Sequence, residues 1–224
     1  MNIGILIFPN VTQLDATGPA QVLARTPGAT LHMVWKTLDP VKTDAGFSIV
    51  PTITFKDCPP LDVICIPGGA DQIDLMNDAE TLAFVAKQGA TAKYVTSVCT
   101  GSLVLGAAGL LKGYKSACHW ASRDLLSAFG AIPVAERVVH DRNRFSGGGV
   151  TAGIDFGLTL LAEIAGEDVA KSVQLGLEYD PQPPFQSGSP EKAGAERTAQ
   201  VRALMAPMIA RRREANDAAA ARMA

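Results

Sequence analysis

The sequence predicts an α/β chain built on a doubly wound, mostly parallel sheet flanked by helices. Short apolar runs of strand length recur along it, stretches with helical spacing separate them, and Pro and Gly mark the junctions. Size agrees: 224 residues, 47% of them apolar, suffice for one large core.

Ile3 to Phe8 is nearly all apolar and stops at Pro9 and Asn10, as a strand buried on both faces of a parallel sheet does. A loop then delivers Asp15, and Pro19 to Arg25 has helical spacing that ends at Thr26, Pro27 and Gly28. Leu31 to Leu38 is β-rich, and Gly46 to Phe55 alternates like a hairpin or edge strand. Asp62 to Ile66 is another buried strand, closed by Pro67, Gly68 and Gly69. Asp74 to Gln88 reads as a helix and Tyr94 to Val98 as the next strand. Leu103 to Leu111 is an apolar helix, and His119 and Trp120 open another that ends at Gly130. Ile132 to Phe145 holds short strands, and Gly147 to Gly149 makes a tight turn before helices at Ile154 to Ala165 and Asp168 to Leu177. An irregular stretch with Pro181, Pro183 and Pro184 precedes an Ala-, Arg- and Glu-rich tail from Glu191, read as one or two exposed or dimer-packing helices. The chain thus divides into a domain over residues 1–190 and a helical extension over 191–224, packed on the domain or a dimer interface.

Twenty Lys and Arg stand against 22 Asp and Glu, a formal charge of −2 with no basic stripe. That distribution argues against nucleic acid or a membrane surface as a partner. With no apolar run of spanning length and no signal-peptide pattern at the N-terminus, the expectation is a cytoplasmic protein. The four cysteines, Cys58, Cys65, Cys99 and Cys118, form no CxxC pair and no ligand-like grouping with His, so neither a zinc site nor a disulfide framework is indicated.

Cys99 is the most informative residue. A thiol between a buried strand and a Gly-containing helix start sits on a sharp turn at the carboxyl edge of the sheet, where ligands of open α/β sheets bind. Ser97 and Gly101 supply the small neighbours such a turn needs. The helix N-terminus is expected to lower the thiol pKa. The plain alternative is a small core residue. Asp15, after the first strand, can reach the same edge and manage a proton for the sulfur, or simply cap the following helix. Gly68 and Gly69 offer two N–H donors for a developing negative charge, or only a turn. His119 lines a pocket or packs as a satisfied core histidine. His32 and His140 receive no role, and Gly147 to Gly149 lacks the order of a phosphate-binding loop.

The order of these motifs resembles the ThiJ/PfpI superfamily: Ile3 to Phe8 with Asp15-Ala-Thr-Gly-Pro19, Ile66-Pro-Gly-Gly69, Ser97-Val-Cys-Thr-Gly-Ser102, and His119-Trp120. The runs Ser97 to Leu111, Gly147 to Phe156 and Glu178 to Phe185 extend the likeness, toward the superfamily's isonitrile-hydrating members, over about the first 190 residues. The resemblance implies a fold like class I glutamine amidotransferases, a flavodoxin-like sandwich, and usually a homodimer. It implies Cys99 as nucleophile, Asp15 as its acidic partner and Thr100 holding water or the substrate nitrogen. Gly69, with Ala70 beside it, and His119 would form the substrate and oxyanion pocket. It further implies addition of water to an isocyanide through a covalent thioimidate, with no metal or organic cofactor. Thr100 in place of a His after the cysteine argues against peptidase activity, and Cys118 stands where Thr is expected before His-Trp. Rival implications are a glyoxalase-like enzyme on small 2-oxoaldehydes and a cysteine-based redox sensor. A third is the sensing half of an AraC-type regulator, for which the chain is too short to carry the DNA-binding region.

Overall fold

The structure, a computed structural model, describes residues 1–223; Ala224, the last residue of the expected extension, lies outside them. The elements in order are β1 (Asn2–Leu6), α1 (Gln13–Leu23), β2 (Thr30–Trp35), β3 (Val41–Lys42), β4 (Ser48–Ile49), β5 (Ile53–Thr54), β6 (Val63–Ile66), α2 (Gln72–Leu75), α3 (Ala79–Thr91) and β7 (Tyr94–Val98). There follow α4 (Gly101–Ala107), β8 (Lys115–Ser116), a 3₁₀ helix (Arg123–Phe129), β9 (Ile132–Pro133), β10 (Val138–Asp141), β11 (Arg144–Gly147), α5 (Ala152–Ala165), α6 (Glu167–Gly176), α7 (Pro190–Ala193) and α8 (Ala195–Ala221).

The main sheet has the order β10-β11-β7-β6-β1-β2-β5, parallel throughout except for the β10–β11 hairpin. This is the doubly wound fold the sequence predicts. The chain winds outward from β1 through β2 to β5, then returns to β6 on the other side of β1. The switch point therefore lies between β1 and β6. Side chains alternate across the sheet: Ile3, Ile5, Val63 and Cys65 pack toward α1 and α5, while Leu6, Ile64, Ile66 and Val95 pack toward α3, α4 and the 3₁₀ helix. Each fully buried Ile, Leu or Phe stabilises the fold by about 1.5–3 kcal/mol. The α6 helix forms an outer layer through Val22, Leu161 and Ala170.

Several boundaries move from expectation. The first helix starts at Gln13 and runs through Pro19, so Asp15 rides its first turn instead of a loop. Pro19 has no N–H to offer the Asp15 carbonyl, but the helix is held by burial of Ala16, Val22 and Leu23. The stretch expected as one helix from Asp74 breaks at Asn77. Asp78 restarts it as an N-cap, accepting from the N–H groups of Glu80 and Thr81. The α4 helix ends at Ala107, and Gly109, at φ +78°, turns the chain so that Leu111 is buried. His119 and Trp120 precede a 3₁₀ helix that begins at Arg123 and closes on Gly130 in the left-handed region. The region Gly46 to Phe55 resolves into β4, paired with β3 as a hairpin, and β5 as an edge strand.

The C-terminal half of α8 docks on the domain through Arg212, Asn216 and Ala219, all buried and spaced as one helical stripe. Asn216 donates to the Leu125 carbonyl (3.2 Å) and Arg222 to that of Met76 (2.7 Å).

Candidate active site

Three strand ends next to the switch point build the site. The turn after β7 presents Cys99, the turn after β6 presents Gly68 and Gly69, and the helix after β1 presents Asp15. Cys99 has φ +58°, a left-handed conformation that is uncommon for a side-chain-bearing residue and costs on the order of 1–3 kcal/mol. The Cys99 N–H donates to the Gly147 carbonyl (2.8 Å), which ties the strained turn to β11. Gly101 makes the turn possible: a Cβ there would fall 1.9 Å from the Ile66 carbonyl oxygen. Ser102 Oγ donates to the Cys99 carbonyl at 3.1 Å.

Asp15 is fully buried and does not cap its helix. Its Oδ2 accepts from the Gly68 N–H (2.9 Å), while Oδ1 is buried with no partner of hydrogen-bond geometry. The Cys99 thiol is its side-chain neighbour. Burial raises the Asp15 pKa to about 7, against the pull of the Gly68 N–H and the Cys99 thiol, with the Asp44 charge adding to the rise. Gly68 admits this contact because a Cβ there would lie 2.7 Å from Thr100 Oγ1 and 2.8 Å from Asp15 Oδ2.

The expectation of a lowered Cys99 pKa is not met. Cys99 is 7% exposed, and burial first, then the Asp15 charge and Cys118, push its pKa well above the ordinary value. The Thr100 N–H and the Arg212 charge oppose that rise without overcoming it. A single turn of helix N-terminus cannot offset loss of water beside a carboxyl group. At neutral pH the resting sulfur is a thiol beside an acid that titrates near 7.

The N–H groups of Gly68 and Gly69 point into the site but are engaged. Gly68 bonds Asp15, and Gly69 donates to Thr100 Oγ1 at 3.3 Å. Because Thr100 Oγ1 accepts there, its own proton is left for another acceptor. Ala70 is exposed and is not among the residues that line the cleft beside His119.

His119 is half-buried. Its Nδ1 accepts from the Ala121 N–H (3.4 Å), placing the ring proton of the neutral form on Nε2, and burial with the Arg212 charge lowers its pKa to about 4. It lines a cleft of about 910 Å³ together with Cys118, Trp120, Gly148, Val150 and Phe185. Cys99 is not part of that wall, but its neighbour Cys118 is, and burial raises the Cys118 thiol to about 11. Among the described residues, no group of three or more His, Cys, Asp and Glu could hold a metal ion. No described helix is long and apolar enough to cross a membrane.

One residue at the site was missed in the sequence. Arg212 of α8 is 2% exposed and donates to Gln72 Oε1 (3.0 Å), Ser122 Oγ (3.1 Å) and the Gly69 carbonyl (3.3 Å). The signal available for it is the spacing Arg212, Asn216, Ala219, which puts these residues on one face of a helix.

Residues 1–163 match the model of the DJ-1/PfpI family. The chain is similar to the curated Isonitrile hydratase of Pseudomonas putida, 56% identical over 223 residues that cover 100% of this chain and 98% of the other. It also resembles the HTH-type transcriptional regulator GbdR of Pseudomonas aeruginosa, at 29% identity over 80% of this chain and 51% of that one. Among solved structures, a ThiJ/PfpI family protein from Pseudomonas syringae superposes with a TM-score of 0.90 at 51% identity, covering 98% of this chain and 90% of that one.

Proposed function

This chain belongs to the DJ-1/PfpI family, and we propose that it is an isonitrile hydratase, adding one water to an isocyanide to give an N-substituted formamide. The observation that carries this reading is the buried pairing of the Cys99 thiol with Asp15, an acid whose pKa of about 7 lets it accept and donate a proton near neutrality. An isocyanide needs a nucleophile and a proton at the same carbon. The whole-length likeness to a curated isonitrile hydratase supports the same conclusion.

In the proposed mechanism the Cys99 sulfur bonds to the terminal carbon of R–N≡C while its proton passes through Asp15 to that carbon. The triple bond becomes the C=N bond of a thioimidate, Cys99–S–CH=N–R. Water then adds across C=N, oxygen to carbon and proton to nitrogen. Loss of the hydroxyl proton expels the sulfur, which recovers a proton and frees H–CO–NH–R. Nothing is oxidised or reduced. The free proton of Thr100 is suited to holding the nitrogen or the water, and neutral His119 offers Nε2–H from the cleft wall. We assign the cleft, with Trp120, Val150 and Phe185, to the R group, entered past Cys118.

The redox-sensor reading is weaker on this geometry, because the thiolate is the form that oxidises and burial holds Cys99 as a thiol. Residues 1–190 form the domain in this reading and residues 191–224 an extension packed on the domain or at a dimer interface, with the protein acting as a cytoplasmic homodimer.

The test is direct. Purified protein mixed with cyclohexyl isocyanide is expected to release the formamide, and Cys99→Ala to reduce the rate to background. Intact-mass measurement of rapidly quenched protein is expected to show one isocyanide added to Cys99. Formamide release that persists in Cys99→Ala would rule out the covalent route, and no release from the parent protein would rule out this substrate.

A further inference from the structure

Arg212 is a buried cation without an anion. Among the described residues it forms no ion pair, and its three hydrogen bonds go to neutral oxygens of Gln72, Ser122 and Gly69. Burying a guanidinium in this way is costly, and stability alone favours an apolar residue of similar size. Two of its partners come from the segment after β6, whose turn packs against the turn that carries Cys99. Gly69 and Gln72 follow β6, Ser122 follows the His119-Trp120 pair, and the Gly69 N–H leads on to Thr100, the residue after Cys99. A group placed there at such a cost fits an anion that exists only during reaction. Attack by Cys99 makes that anion, as the sulfur sheds its proton and again when it is expelled from the tetrahedral adduct.

We propose that Arg212 is a positioning residue of the Cys99 site: it fixes the Gly69 peptide and supplies the positive charge the sulfur needs as it becomes a thiolate. The charged and titratable groups within electrostatic reach of the sulfur are Asp15, Cys118 and Arg212; those within reach of Arg212 are Cys99, Cys118 and His119. Asp15 and Cys118 disfavour a negative sulfur and Arg212 opposes them. The C-terminal helix thereby becomes part of the site through one side chain. The proposal concerns the reactivity of Cys99 and does not require that the substrate be an isocyanide.

The experiment is the pH profile of Cys99 alkylation by iodoacetamide, read by peptide mass spectrometry so that Cys99 is resolved from the other three cysteines. Arg212→Met is expected to move the profile up by about one pH unit and to slow alkylation at pH 8 about tenfold. In the hydration assay it is expected to lower kcat with little change in KM. Arg212→Lys, which keeps the charge, is expected to restore most of the alkylation rate. Should Arg212→Met fail to melt cooperatively, Arg212→Gln carries the same test. A profile superimposable on the parent's in a folded Met or Gln variant would overturn the proposal, as would a Lys profile displaced as far as theirs. Because alkylation involves no isocyanide, a protein that hydrates none still tests it.

Discussion

Asp15 is buried with one oxygen bonded to the Gly68 N–H and the other unpartnered, and that arrangement makes stability depend on pH. An acid whose folded pKa is raised holds its proton more tightly when folded. Its contribution therefore favours the folded state at low pH and is lost as pH rises from the unfolded value of 3.8 to about 7. The cost at pH 8 is on the order of 4 kcal/mol at most. Asp15→Asn keeps an acceptor for Gly68 without a charge to bury. It is expected to be 1–4 kcal/mol more stable than the parent at pH 8, about equal near pH 4, and about 10²–10⁴-fold less active. Urea unfolding at the two pH values checks this; equal stability at pH 8 would mean the burial cost is absent. In the parent, kcat/KM is expected to rise with pH through an apparent value near 7, as Asp15 becomes able to take the thiol proton. A rate falling through that value would assign Asp15 as the acid of the free enzyme. That value belongs to the Asp15–Cys99 pair and not to either group alone.

Among the elements, the junction of β6, β7 and α4 sets where the sulfur sits. The first turn of α4 comes so close to the end of β6 that Gly101 has no room for a side chain. Gly101→Ala must push α4 off the Ile66 carbonyl and carry Cys99 with it. The expected result is destabilisation by about 1–3 kcal/mol or more, with hydration lost beyond what stability explains. Calorimetry together with Cys99 alkylation checks both; an unchanged melting temperature and rate would show that the turn accommodates a methyl group. The α8 helix has two halves with different roles. Residues 212–219 carry the buried stripe, whereas Val201 and Leu204 stand in the exposed half, Leu204 at 83%.

For the molecule as a whole, the exposed apolar side chains Leu175, Val201 and Leu204 support the proposed homodimer. Leu204 touches little of its own chain, so Leu204→Asp is expected to leave the fold intact while shifting the mass measured by light scattering from dimer toward monomer. A parent protein that elutes as a monomer at all concentrations would overturn the dimer.

By itself the sequence determined the doubly wound sheet, because strands buried on both faces write an unbroken apolar run such as Val63 to Ile66, and helices between them write a different period. It also placed Cys99, Asp15, Thr100 and Gly69 at one sheet edge, since parallel strands must present their following turns on the same side. The exact ends of α1, α3 and α4 were not legible, because tertiary burial carried the first through Pro19 and a cap at Asp78 divided the second from α2. Only the tertiary structure decided the protonation of the site. Local pattern reports a helix start beside Cys99, whereas the pKa values follow from how much water surrounds the thiol and the acid. It alone also brought in Arg212, 113 residues beyond Cys99 in the chain, because contact at that separation is set by how α8 packs and not by any local periodicity.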